Sequence, residues 1–364
     1  MTRVCIAITC KNAEHTIRYV LLDAIKQVGI EKCFAIVDAM STDFTTKIIE
    51  ETLAEHGVDY KLVRIECSIP EGRNYLIKLA LDLDADYIMF LDADTLMKYS
   101  NLVHLGLLTS KERYVIHFPY EFRYFNRIDE LENFCKNVLS ALRVAKTNAI
   151  KIEKAKWCGL GATLVPRKLA EEIEIDEDLT FSEDRFFGFI SWLKGYPVLV
   201  LKVGNEHPCI DINLSKGDNY NIYIRMGIKD YLRGLTKKVV WHDIWPCYED
   251  TLAHTLRRFI GSLAFRKYSF HVALDLSSIA LTVYTLHSYL GVPLGYALAM
   301  LIGSMLLKFR KGIDVVSSLK AFFKFNVFSI AALATFLPLY FKYRELLSKA
   351  FNAYKEFEYP FNSH

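Results

Sequence analysis

Asp92-Ala93-Asp94 closes the apolar run Tyr87-Ile88-Met89-Phe90-Leu91. Side chains alternate along a strand, so two aspartates one residue apart point the same way. Like charges held that close are costly unless a cation lies between them. A divalent ion that also grips a diphosphate satisfies both, and hard oxygen ligands suit Mg²⁺ or Mn²⁺. The plainer reading is a polar strand end before a turn. Asp184 follows Phe181-Ser182-Glu183 and precedes Phe186-Phe187, a partly desolvated setting in which a carboxylate can act as a base. On residue type alone Ser182-Glu183-Asp184 reads first as the start of a helix over 184–194. His207 is a candidate third metal ligand or phosphate contact, against a structural or surface role. Lys216 and Arg225, in a loop with Gly217, Tyr220 and Tyr223, are candidate phosphate or acceptor clamps, as is Arg123. Gly161, in Gly159-Leu160-Gly161-Ala162, permits close approach of an acceptor or diphosphate, or simply makes a tight turn.

The elements that must position these groups alternate. Strands are expected over 4–9, 33–37, 60–65 and 87–91. Helices are expected over 13–28, over 43–56 with Asp43 as cap and Gly57 as stop, and over 70–83 opened by Pro70 and Glu71. This order argues for an α/β fold with a mostly parallel sheet covered by helices on both faces. Ligands of such sheets lie at the carboxyl ends of the strands, where Asp38, Asp92 and Asp94 fall. A further helix is expected over 127–149 and more α/β structure over 157–203.

Composition points to a second region. The chain has 364 residues, 52% of them hydrophobic, and the excess lies after about residue 270. Residues 227–268 are basic and aromatic, with Trp241, Trp245, Arg257, Arg258, Arg266 and Lys267, which suits interfacial amphipathic helices. Apolar segments at about 272–289, 291–307 and 327–341 are short for bilayer spans, which take about 20 residues. Basic clusters before the first and after the second place both on one side, as the positive-inside rule asks. The expected organisation is a cytoplasmic catalytic domain over 1–226, interfacial helices over 227–268, a small transmembrane domain over 269–345 and a tail over 346–364. The short apolar run ending at Lys11 is too short for a signal peptide. A net charge of +3 does not call for nucleic acid. The eight cysteines form no C-x-x-C pair and read as reduced thiols. A single Gln, Gln27, is a compositional hint of a thermophile.

Over residues 4–225 the chain resembles the family 2 glycosyltransferases of GT-A fold. The first strand and turn through Thr9, Lys11 and Asn12 resemble that family's nucleotide-binding turn. Val37-Asp38-Ala39-Met40-Ser41-Thr42-Asp43 resembles its V-D-D-x-S-x-D segment, with Ala39 in place of the second aspartate and Asp38 left as the base contact. Gly72-Arg73-Asn74 resembles its A-R-N helix, and Phe90-Leu91-Asp92-Ala93-Asp94 its F-L-D-x-D. Ser182-Glu183-Asp184 resembles its T-E-D. The resemblance implies Asp184 as catalytic base, with Glu183 and Gly161 toward the acceptor. It implies donor contacts from Thr9, Lys11, Asn12, Asp38, Arg73, Asp92 and Ala93, a divalent metal at Asp92 and Asp94, and inversion at the anomeric carbon. The Q-x-x-R-W signature of processive members such as cellulose and hyaluronan synthases is missing. The expected activity is therefore transfer of one hexose, best matched to mannose from GDP-mannose, to a lipid-linked acceptor on a polyprenyl (dolichyl-type) chain. The nearest kinds are archaeal mannosyltransferases of lipid-linked glycan pathways and polyprenyl-phosphate sugar synthases, with a reduced cellulose-synthase-like architecture. A polyprenyl-phosphate hexose synthase, a non-catalytic nucleotide-binding membrane protein and a nucleotidyltransferase are the alternatives.

Overall fold

The computed structural model describes residues 1–175, 177, 183–214, 349 and 352–357. Lys216, Arg225, Ser182 and the apolar segments at 272–289, 291–307 and 327–341 lie outside them, as do residues 227–268. Among the described residues no helix is long and apolar enough to cross a membrane.

In chain order the elements are β1 (Arg3–Cys10), α1 (Ile17–Ile25), β2 (Glu31–Asp38), α2 (Thr45–Glu55), β3 (Asp59–Arg64), α3 (Ile69–Asp82) and β4 (Tyr87–Asp92). There follow β5 (Thr95–Met97), α4 (Leu102–Ser110), β6 (Val115–His117), β7 (Tyr120–Phe125), α5 (Ile128–Ser140) and β8 (Ile150–Lys154). The last are β9 (Ala162–Pro166), α6 (Arg167–Glu172), α7 (Glu183–Leu193), β10 (Val198–Val203) and β11 (Cys209–Leu214). An eight-stranded sheet runs β3-β2-β1-β4-β9-β6-β10-β8, and a small sheet runs β5-β11-β7. This is the mixed α/β architecture of the GT-A type, with a large central sheet. The first four strands are parallel, and β1 is an unbroken apolar run because both its faces are covered. In the large sheet three pairings break the parallel pattern: β9 runs against β4 and β6, and β8 against β10.

Two helices are shorter than periodicity implies. The first begins at Ile17, after a turn in which the Ala13 carbonyl accepts from Thr16 and Ile17. The helix expected over 127–149 stops at Ser140. Beyond it the Asn101 carboxamide exchanges two 2.9 Å hydrogen bonds with the Ala145 backbone, and Arg143 N–H donates to the Lys98 carbonyl at 3.2 Å. Those bonds hold 141–146 extended against 98–101. Helix α2 starts at Thr45 rather than at Asp43, whose carboxylate braces Thr45 N–H at 3.0 Å.

Helix α3 has the strongest start signal. Ser68 Oγ accepts from Glu71 N–H at 3.4 Å, and Glu71 accepts from Ser68 N–H at 2.6 Å, with Pro70 in the first turn. The box fixes the rotation that buries Arg73 and Asn74 against the sheet.

The C-terminal segment returns to this unit. Tyr354 and Phe357 meet the Trp192 ring of α7 edge-on at 5.4 and 5.6 Å, and Lys154 Nζ donates to both their carbonyls at 3.1 Å. The seven cysteines among the described residues are all free.

Asp23 of α1 is fully buried. One carboxyl oxygen accepts from Met97 N–H at 2.5 Å and the other has no partner among the described residues. Burial pushes this carboxyl up to about 8. The folded state then holds a proton that the unfolded chain releases near pH 4, so stability falls as pH rises from about 4 to 8 and levels off above. Asp23→Asn keeps the acceptor and removes the titration. Its thermal midpoint is expected to exceed that of the parent at pH 8–9, by several degrees for roughly 2 kcal/mol, with the gap closing toward pH 4. Equal midpoints at every pH would show that Asp23 is not a buried acid.

Candidate active site

Registers set the site. Thr9 lies level with Asp92 and Cys10 level with Asp38, so three parallel strands end on one edge. Asn12 adopts a left-handed backbone, φ 52°, which its short polar side chain tolerates. Its side-chain oxygen accepts from Thr42 N–H at 2.8 Å and its N–H donates to Ser41 Oγ at 2.9 Å, joining the loops after β1 and β2. Lys11 is exposed beside it.

Asp38 closes the loop after β2 from within. It is fully buried. One oxygen accepts from Ser41 N–H at 2.9 Å and the Ser41 hydroxyl at 2.5 Å, and the other accepts from the Thr46 hydroxyl at 2.6 Å. Arg64 Nε lies 3.5 Å away. The carboxylate is consumed in shaping the loop, so the nucleotide contact expected of Asp38 has no exposed oxygen to make it.

Strand β4 ends at Asp92, and Ala93 and Asp94 form the turn into β5. Strand alternation therefore does not orient Asp94; the turn does, held where Ile212 N–H donates to the Asp94 carbonyl at 2.8 Å. Asp92 pairs with Arg73 of α3. The guanidinium is almost wholly buried, 5.6 Å over the Phe90 ring, and its Nε and Nη1 have no hydrogen-bond partner among the described residues. Unpartnered buried donors are costly, and oxygens of an anionic ligand would relieve that cost. Burial, then Asp92 and Asp211, push the Asp94 carboxyl up to about 8.

Two glycines let separate segments close on this edge. Asp92 N–H donates to the Gly161 carbonyl at 2.9 Å, and a Cβ on Gly161 would lie 2.5 Å from Asp92 Oδ2. A Cβ on Gly188 would lie 2.8 Å from Trp157 Cα and 2.9 Å from Cys158 N, so α7 packs directly on the backbone leading to Gly161. Buried His117, held neutral by a pKa lowered to about 4, bonds Thr163 Oγ1 at 3.1 Å. Thr163 in turn donates to the Gly159 carbonyl at 2.7 Å.

Glu183 and Asp184 occupy the first turn of α7, with Phe187 edge-on to Phe90 at 5.9 Å. Burial and then Asp184 push the Glu183 carboxyl up to about 7. Tyr120 joins the two halves: its hydroxyl is raised by burial and by the charges of Asp92, Asp211, Asp184 and Asp94. Its Cε1 is 3.4 Å from the Cβ position of Gly161.

Asp211 and Tyr120 are the members that sequence reasoning missed. Asp211 lies on β11, 9% exposed, and burial and Asp92 push it up to about 6. The only signal was an aspartate alternating with apolar residues in Cys209-Ile210-Asp211-Ile212. Arg123 is exposed and pairs with Glu121 at 3.3 Å. His207 is exposed in the turn before β11, with its charge felt at His117. No described contact joins either residue to Asp92 or Asp94.

Residues 5–146 match the model of a family described as Glycosyl transferase family 2. With the carboxylates at the strand edge, the chain is a glycosyltransferase. No curated protein matches it by sequence. Among solved structures, S. aureus TarS 1–349 in complex with UDP-GlcNAc is similar at 16% identity, over 95% of this chain and 92% of that one, with TM-score 0.47. The mannosyltransferase PcManGT from Pyrobaculum calidifontis, in complex with GDP-Man and Mn²⁺, is similar at 15% identity over 92% of this chain and 86% of that one, with TM-score 0.48.

Proposed function

We propose that this glycosyltransferase moves one hexose, with inversion, from a nucleotide sugar to a lipid-linked acceptor at a membrane surface. The observation that carries the reading is the convergence of Asp92, Asp94, Asp211 and Asp184 on Tyr120. A carboxylate pair for the diphosphate side and a base for the acceptor, all near one residue, is what such a transfer requires. In the reaction an acceptor hydroxyl oxygen bonds to the anomeric carbon as the bond to the diphosphate breaks. The proton passes to Asp184, and the electron pair leaves with the nucleoside diphosphate. Arg73 is placed to offer its unpartnered donors to a diphosphate oxygen.

The carboxylates fit a divalent cation. Asp92 pairs with Arg73, whose charge also reaches Asp94, and Asp94 has no ion-pair partner of its own among the described residues. Asp92 and Asp94 would hold Mg²⁺ or Mn²⁺, which supplies charge neutralisation to the leaving diphosphate. No three His, Cys, Asp or Glu among the described residues are gathered as a metal cage, so donor oxygens would complete the shell.

The lipid acceptor, the cytoplasmic placement of residues 1–226 and the membrane domain rest on the apolar segments after residue 270. GDP-mannose is the donor to test first, on the motif resemblance. The test gives the full chain in detergent Mn²⁺, labelled nucleotide sugars and a polyprenyl lipid extract, and reads products by mass. Label on a lipid, absent with Asp94→Asn, is the expected result. Failure with every donor would leave a nucleotide-binding protein.

A further inference from the structure

Strand β7 reads Tyr-Glu-Phe-Arg-Tyr-Phe, and its register with β11 sets Tyr120 beside Cys209, Phe122 beside Asp211 and Tyr124 beside Asn213. Residues in register on neighbouring strands share a face. One face of the small sheet therefore carries Tyr120, Phe122, Tyr124, Asp211 and Asn213. The other carries Glu121, Arg123 and Phe125, the last packed on Phe134 of α5 at 5.1 Å.

The first face is open. Phe122 is 56% and Tyr124 58% exposed. Their rings lie nearly parallel, 14° apart with centroids 6.3 Å apart, and Tyr120 meets Phe122 edge-on at 5.4 Å. The row leads from the surface to Tyr120, among the catalytic carboxylates. Asn213 Nδ2 donates to Asp211 alongside.

We propose that this face binds the saccharide part of the acceptor and delivers its hydroxyl past Tyr120. Aromatic faces are electron-rich and attract the weakly positive C–H hydrogens on the apolar side of a sugar ring. A carboxylate and a carboxamide beside them match its hydroxyls. A bare lipid phosphate fits poorly: the face carries no cation among the described residues, Asp211 would repel it, and Arg123 lies on the opposite face. The proposal rests on the transferase reading and sharpens it to a glycosylated acceptor.

The test uses the full chain in a sugar-free detergent and reads saturation transfer by NMR. The probes are methyl α-mannoside, mannotriose, chitotetraose, cellotetraose and decaprenyl phosphate. At least one saccharide is expected to receive saturation on its ring protons. Binding should weaken about tenfold or more in Phe122→Ala/Tyr124→Ala, the loss of two aromatic contacts, and persist in Phe122→Tyr/Tyr124→Phe. Saturation on decaprenyl phosphate alone, on none of the probes, or unchanged in the alanine pair would overturn the proposal. Nucleoside diphosphate release from a donor in water separates the two readings. Release without saccharide binding sinks the platform and keeps the transferase. Saccharide binding without release from any donor does the reverse.

Discussion

Asp184→Asn is expected to lower sugar transfer about 10²–10⁴-fold, the range lost with a positioned proton acceptor, while nucleotide-sugar affinity stays close to that of the parent. Asparagine keeps the shape and the helix start but cannot take the acceptor's proton. The residue sits beside Glu183 in the first turn of α7, and α7 is locked by Phe187 on Phe90 and by Gly188 on the Trp157 backbone. The substitution should therefore leave the surroundings in place. Single-turnover transfer and donor titration by calorimetry check the two halves. Glu183→Gln is the control: its carboxyl, pushed up to about 7 on the same turn, is the competing candidate for the base. A Gln variant that loses transfer while Asp184→Asn keeps it would reassign the base.

Gly161→Ala should be nearly as damaging without touching an ionisable group. The new methyl would meet Asp92 Oδ2 at 2.5 Å and Asp92 Cγ at 3.2 Å. Asp92 must turn, which breaks its pair with Arg73 and moves it off Asp94. Displacements near 1 Å cost catalysis on the order of 10²-fold. Transfer is expected to fall by about that factor, with the thermal midpoint within a few degrees of the parent because the atom that must give way is the end of a side chain and Gly161 lies in the turn before β9. A variant with full activity would show that the Asp92 geometry is not critical.

These sites differ in how legible they were. The strand and helix order through residue 92 followed from apolar periodicity, because each element buries one face in a local pattern. Asp92, Asp94 and Asp184 stood out because charge beside long apolar runs is costly and asks for a reason. For Asp38 the sequence is silent, since a strand-end aspartate looks the same whether it faces a ligand or its own loop. Only Ser41, Thr46 and Arg64 in space distinguish the two. The antiparallel insertion of β9 between β4 and β6, the neighbour Asp211 and the open row on β7 depend on pairings between segments far apart in sequence. No local period encodes those. The end of α5 was misread for the same reason: Asn101 tethers 145 from more than forty residues away.

The return of Tyr354 and Phe357 to Trp192 ties both ends of the stretch between residues 214 and 352 to one unit. Whatever path that stretch takes, it departs from and comes back to one body.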